Sequence, residues 1–274
     1  MSAPPAPTRE AGLKSAFGGG GAFKRWLTVV IVAGVLYWSA LGTGFSLPEL
    51  SKNLPAIGEF FRKLFPSDGK PWPTDALPEI TKRLIETFRI AIAASLFGAL
   101  LALPLPLIAS RTLAGKTLYA FGRAVLNLVR SVPDLVLATL LAASFGIGPM
   151  AGFLALLVFS FGVVGKLLCD SVETIDPGPM EAIAAAGGTR FQQAFCAVFP
   201  QVGPDFLAYT LYSFEINVRA ASVLGVVGAG GIGMVLQSSL SLMNYTRVGL
   251  VILITFGVVF LIDSFSTWLR GRLV

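Results

Sequence analysis

Histidine is missing altogether, cysteine occurs twice in 274 residues, and charged side chains make up 13% of the chain. Without histidine, the commonest neutral-pH acid–base group and metal ligand is unavailable. Cys169 and Cys196 form no C-x-x-C pair and no H-E-x-x-H run exists, so no metal site is expected. Both cysteines flank one short polar loop and are expected to face a reducing cytosol, where a disulfide does not form. There is no G-x-x-x-x-G-K-[ST] loop to cradle nucleotide phosphates, and no nucleophile stands paired with a base. No catalytic residue is therefore expected, and the chain itself holds no cofactor.

Apolar residues are what is abundant. They make up 54% of the chain, which points to an all-α membrane protein whose solvent is mostly lipid. The net charge of +6 could suggest nucleic acid. The basic residues, however, are scattered over span ends and loops in the positive-inside manner, so lipid and not nucleic acid is the expected partner.

Residues 1–21 are rich in Pro, Ala and Gly, and residues 1–25 read as a disordered cytosolic tail. Residues 26–47 are long enough for a first membrane anchor. Its apolar run is too long for a cleaved leader, so it is expected to be retained with its N-terminus inside. Residues 48–83, of mixed charge and carrying KPWP at 70–73, read as an extracytoplasmic loop. The core, residues 84–274, begins with a second span over 84–109, kinked by Pro104 and Pro106. Arg111, Lys116 and Arg123 mark an inward turn. A third span over 124–145 carries Arg130, Pro133 and Asp134, and a fourth covers 151–168, with Lys166 and Asp170 at its inner boundary. A fifth span starts near Pro200 and carries Glu215, Asn217 and Arg219 toward its outer half. Residues 220–237 are too glycine-rich for a plain span and read as broken or re-entrant. Gly228, Gly230 and Gly233 satisfy G-x-G-x-x-G, but no strand-turn-helix unit surrounds them. A sixth span over 248–269 ends at Arg270 and Arg272 inside.

Two polar islands lie within these spans. Arg130 with Asp134, and Glu215 with Arg219, are spaced i, i+4 and could neutralise one another on one helical face. They are either ion pairs that fix helix packing or a pathway in which an arginine fork meets an anion. Ser131, Asn217, Ser222 and the amides of the glycine-rich segment could add donors. Asp263 reads as a packing or helix-end residue.

One amphipathic stretch, residues 176–200, interrupts the apolar runs. Asp176-Pro177-Gly178-Pro179 is a turn that starts a helix near Pro179, with Glu181 in its first turn. About two turns later, Gly187-Gly188 supplies a left-handed stop. Thr189 and Gln192 have capping-box spacing, so a second helix is expected to run toward Pro200.

Glu181-Ala182, Gly187 and Pro200 resemble the E-A-A-x3-G-x9-I-x-L-P signature of bacterial ABC-importer permease subunits. Ile183, Ala197 and Phe199 depart from it but keep its apolar character. Residues 213–233, SFEINVRAASVLGVVGAGGIG, together with RSVPDLV, resemble the permease subunit of phosphonate ABC importers, a group that also handles phosphite. The resemblance implies a type I ABC-importer permease fold of about six transmembrane helices with a cytosolic coupling helix in the bacterial inner membrane, both termini cytosolic. It implies that Met180, Glu181, Ala182, Gly187 and Arg190 meet the ATPase. It also implies two cytosolic ABC ATPase subunits holding ATP and Mg, a second permease copy in a homodimer, and an extracytoplasmic phosphonate-binding protein. Other readings are a permease for methionine or another oxyanion, a non-transporting membrane scaffold, and a passive channel.

Overall fold

The computed structural model describes residues 20–44, 46–66 and 71–273, and every regular element among them is helical. The chain divides into two compact units, Met1–Arg62 and Lys63–Val274. In the first, α1 spans Gly20–Thr43 and α2 spans Leu47–Leu64, its last two residues passing into the second unit. The expected disordered tail lies mostly outside the described residues. Its end is corrected, because α1 already begins at Gly20. Phe23–Thr43 is apolar enough to cross a membrane, and Gly44, at φ +64°, ends the helix in the left-handed region that only glycine adopts freely. α2 corrects the expected loop of residues 48–83, of which 48–64 and 77–83 are helical. Lys70 of the KPWP run lies outside the described residues.

In the second unit, a tight turn at Thr74–Ala76 leads into α3, Leu77–Ala102, which starts seven residues before the expected second span because Pro78 suits a first helical turn. Pro104 then opens the short α4, Leu105–Ala109, so the expected kink is present. α5, Lys116–Ser131, and α6, Asp134–Phe145, meet at 78°. The expected third span is therefore bent: Pro133 has no N–H to donate and holds Val132 extended, at φ −83° and ψ 120°. α7 covers Pro149–Val172, and α8, Gly178–Ala185, leads through a two-glycine bend to α9, Arg190–Gln193. The helical run continues through a π turn at Ala194–Val198 into α10, Phe199–Leu224, which starts beside Pro200 as expected. Gly225–Val227 forms one tight turn, and Gly228, Gly230 and Gly231 all take positive φ before α11, Ile232–Ser241. The glycine-rich segment is thus a break between helices, as expected. α12, Tyr245–Leu273, outruns the expected sixth span at both ends.

The core is a seam of small residues between α3 and α7, closed by α10. Ala91, Ala94, Ser95, Gly98, Ala99 and Ala102 of α3 are all buried. A Cβ added to Gly98 would lie 2.8 Å from the Leu157 carbonyl, so the two backbones touch almost directly. In lipid, where burying apolar surface drives little, such close approach supplies the packing energy. Gly98→Val should therefore destabilise the detergent-solubilised protein by about 1–3 kcal/mol, read as a lower thermal unfolding midpoint. Gly257→Val, whose Cβ meets open space, should leave that midpoint unchanged.

Candidate functional site: a glycine elbow and two charge islands

The elbow is built from local hydrogen bonds. Asp176 Oδ1 accepts from the Gly178 N–H at 2.9 Å and starts α8. At its end the Gly188 N–H donates to Ile183 O at 2.8 Å and the Gly187 N–H to Ala184 O at 3.0 Å. That pair of bonds needs a left-handed residue at Gly187, which sits at φ +81°. Thr189 then closes the expected capping box: its Oγ1 accepts from the Gln192 N–H, and its own N–H donates to Gln192 Oε1 at 2.7 Å. The two glycines serve different ends. A Cβ on Gly187 would meet open space, whereas one on Gly188 would strike Ile183 Cγ2 and lie 2.8 Å from Ile183 O.

Glu181, Ala182, Gly187 and Arg190 are exposed on this elbow, and Met180 is half-buried against the cluster of Val172, Ala194 and Val198. Arg190 also reaches back, donating from Nη1 to Leu113 O at 3.1 Å. Beneath the elbow, Phe191, Phe195 and Phe199 stack in sequence along an apolar cavity of about 520 Å³.

Behind it sits a lock that sequence reasoning missed. Arg123 of α5 donates to Asp170 Oδ1 at 2.7 Å, to Glu173 Oε1 at 2.8 Å and to Ala109 O at 2.9 Å. Lys166 adds a 3.1 Å bond to Asp170, and the Arg111 N–H donates to Glu173. One guanidinium therefore ties α4, α5 and the end of α7 together just before the elbow. Hydrogen bonding to Tyr119 raises the Arg111 pKa further above its ordinary value, so this group stays cationic at any physiological pH. Arg123→Leu leaves Asp170 with Lys166 and Glu173 with the Arg111 N–H, and should destabilise the protein by about 1–2 kcal/mol, with Asp170→Asn costing less; thermal unfolding checks both.

The first charge island differs from expectation. Because the chain bends at Pro133, Arg130 and Asp134 share no helical face and form no ion pair. They instead line one cavity of about 230 Å³ with Pro133, Ala155 and Phe159. Arg130 packs its stem on Gly162, where an added Cβ would sit 2.9 Å from its Cγ. Its depth is thus near the middle of α7. The Ser131 hydroxyl donates to Leu128 O and Asp134 Oδ1 accepts from the Leu135 N–H, so both are partly engaged by their own helices.

The second island forms the expected pair and extends it. Arg219 bonds Glu215 at 2.9 Å and Asp263 at 3.0 Å, and Arg270 bonds Glu215 at 2.6 Å. Asp263 and Arg270, read as helix-end and flanking residues, thus belong to a four-charge cluster between α10 and α12. Arg219, at 47% side-chain exposure, lines a cavity of about 300 Å³ with Ser222, Gly233 and Thr255. The Ser222 hydroxyl itself donates to Val218 O.

Asn217 is a correction. It is fully buried and donates to Ser95 Oγ at 2.7 Å and Ser160 Oγ at 2.6 Å, while Ser213 also bonds Ser160. Asn217 therefore clamps α3, α7 and α10 together and faces no pathway. Ser160 stands near the middle of α7, and Glu215, Asn217 and Arg219 fall in the second half of α10. Two amides of the glycine segment are likewise taken: the Gly231 N–H donates to Glu86 Oε1 at 3.0 Å and the Ile232 N–H to Thr87 Oγ1 at 2.8 Å.

With the elbow in place, the comparison with known proteins is decided by residues 102–274, which match the binding-protein-dependent transport system inner membrane component family. The chain belongs to this family. Its match contains the elbow, the arginine lock and both islands, and leaves α1, α2 and nearly all of α3 outside. The chain is 38% identical over 222 residues to the phosphate-import permease protein PhnE of Mycolicibacterium smegmatis, covering 80% of this chain and 41% of that one. It thus spans less than half of that relative's length. It is 36% identical to the phosphite transport system permease protein PtxC of Stutzerimonas stutzeri, covering 88% of this chain and 87% of that one. Among solved structures, an inward-facing form of the MetNI methionine ABC transporter superposes with a TM-score of 0.64 at 22% identity, covering 73% of this chain and 98% of that one. An amino acid ABC transporter gives 0.60 at 19%, covering 73% and 96%. This inner membrane component therefore has the type I importer permease fold, and its helices make it a multi-pass membrane protein with five or six candidate spans.

Proposed function

We propose that this inner membrane component is the transmembrane subunit of an ATP-driven importer for phosphonate or phosphite. It works as a homodimer, with two cytosolic ATPase subunits gripping the elbow and an extracytoplasmic binding protein delivering the ligand. ATP and magnesium reside in the ATPase subunits. Closure of those subunits rocks the elbow, and rigid-body rotation of the spans opens the path in turn to each side. The elbow and both chain termini face the cytosol.

The observation that carries the choice of substrate is Arg130, which forms no ion pair among the described residues and lines a cavity with Asp134 level with the middle of α7. A charge inside a membrane segment is retained only where something compensates it. A phosphonic-type anion suits both walls. Its oxygens accept the guanidinium fork and, when singly protonated, its P–OH can donate to Asp134. The names of the two relatives, phosphate-import and phosphite permeases, support the same chemistry.

The test is uptake into proteoliposomes holding the complete transporter. Phosphonate or phosphite uptake should require ATP and resist excess methionine. Arg130→Gln should raise the apparent KM roughly tenfold or more, with Arg130→Lys restoring part of it, as expected for loss of a charge-assisted bond of about 1.5–3 kcal/mol. Competition by methionine, or an unchanged KM in Arg130→Gln, would overturn this reading.

A further inference from the structure

Helix α2 has two opposite faces. Leu50, Leu54, Ile57 and Phe61 recur at helical steps of four, three and four, and all are exposed, at 44–58%. Lys52, Glu59 and Lys63 lie on the other side, with Ser51 and Arg62 at its edge. The helix has 18 residues and is thus about 27 Å long, but it is not among those apolar enough to cross a membrane.

Its start is fixed: only residues 44–46 separate it from α1, so α2 begins where that membrane-crossing helix leaves the bilayer. Pro55 supplies a further constraint. It removes the N–H that would bond the Ser51 carbonyl, and Ser51 and Pro55 both lie on the polar side. Water can take that carbonyl there, whereas lipid would leave it unsatisfied.

We infer that α2 is an interfacial anchor. It lies in the plane of the bilayer surface from which α1 emerges, with Leu50, Leu54, Ile57 and Phe61 sunk into the boundary between headgroups and acyl chains. Lys52, Arg62 and Lys63 sit at headgroup level, where phosphates match them. The occupant of the apolar face is lipid, continuous with the lipid that surrounds α1, whose described side chains are almost all exposed.

The test uses the complete transporter in phosphatidylcholine–phosphatidylglycerol vesicles. Single spin labels are attached through Leu54→Cys, Ile57→Cys and Phe61→Cys on one face, and Lys52→Cys, Glu59→Cys and Arg62→Cys on the other. Cys196→Ser removes the exposed native thiol, and buried Cys169 stays. Collision with oxygen, which dissolves in lipid, should be favoured at 54, 57 and 61. Collision with a water-soluble nickel chelate should be favoured at 52, 59 and 62. Nickel reaching both faces equally would overturn the inference by placing the helix in water. Labels at 54, 57 and 61 shielded from both reagents would overturn it by placing protein on that face, and dipolar broadening between labels would identify a second copy.

Discussion

A Gly187→Trp permease should insert and fold like the wild type, yet lose ATP-driven uptake by at least roughly tenfold. The two halves of this result have separate physical origins. Gly187 stands at φ +81° with nothing within 4 Å of where a Cβ would be, so the substitution clashes with no neighbour. It adds only the strain of a left-handed non-glycine residue, about 1–2 kcal/mol. The indole would project outward from the exposed bend between α8 and α9, into the face proposed to receive the ATPase subunits. Hydrolysis should then run without import. Gly188→Val acts from within: its Cβ would strike Ile183 and force α8 away from α9. It should lower uptake and lower thermal stability by more than the about 1–2 kcal/mol of strain that Gly187→Trp adds. Uptake and ATP hydrolysis, read in the same proteoliposomes, separate the two variants.

Removing the arginine at the centre of the second island should have the largest effect on stability. In Arg219→Leu, Glu215 keeps Arg270, but Asp263 loses the ion pair that compensates it. Its Oδ1 is already buried without a hydrogen bond, so the charge cannot turn to another donor. Stranding such a carboxylate costs about 3–5 kcal/mol when fully buried, and Asp263 is about one-third exposed, so about 2–3 kcal/mol is expected. Thermal unfolding in detergent measures it. The double variant Arg219→Leu with Asp263→Leu should recover most of the loss, because both charges leave together. Equal destabilisation of the single and double variants would mean that the pair contributes nothing.

How far these features could be read from the chain depends on the distance over which their causes act. The elbow was fully legible: its Asx turn, its left-handed stop and its capping box each close within a few residues. The break at Pro133 carried its own signal, since a residue before proline resists helix, but the apolar run after it suggested a single span. The same oversight put Arg130 and Asp134 on one helical face. Asn217 was misplaced for a different reason. Residues two apart on a helix point to opposite sides, so Asn217 could not share the face of Glu215 and Arg219. The apolar period of α2 was present but masked by its high charge. The Arg123 lock had no local trace at all, because its carboxylates lie 47 and 50 residues away.

The central claim is that an elbow facing the cytosol receives its motion from ATPase subunits that another chain supplies. Its most direct test is the side from which the elbow can be reached. Ala182→Cys, in a Cys196→Ser background, should react with a membrane-impermeant maleimide in inverted membrane vesicles and not in intact cells. Added ATPase subunits should protect it. Labelling from the outside of intact cells would put the elbow beyond any cytosolic motor and contradict the claim.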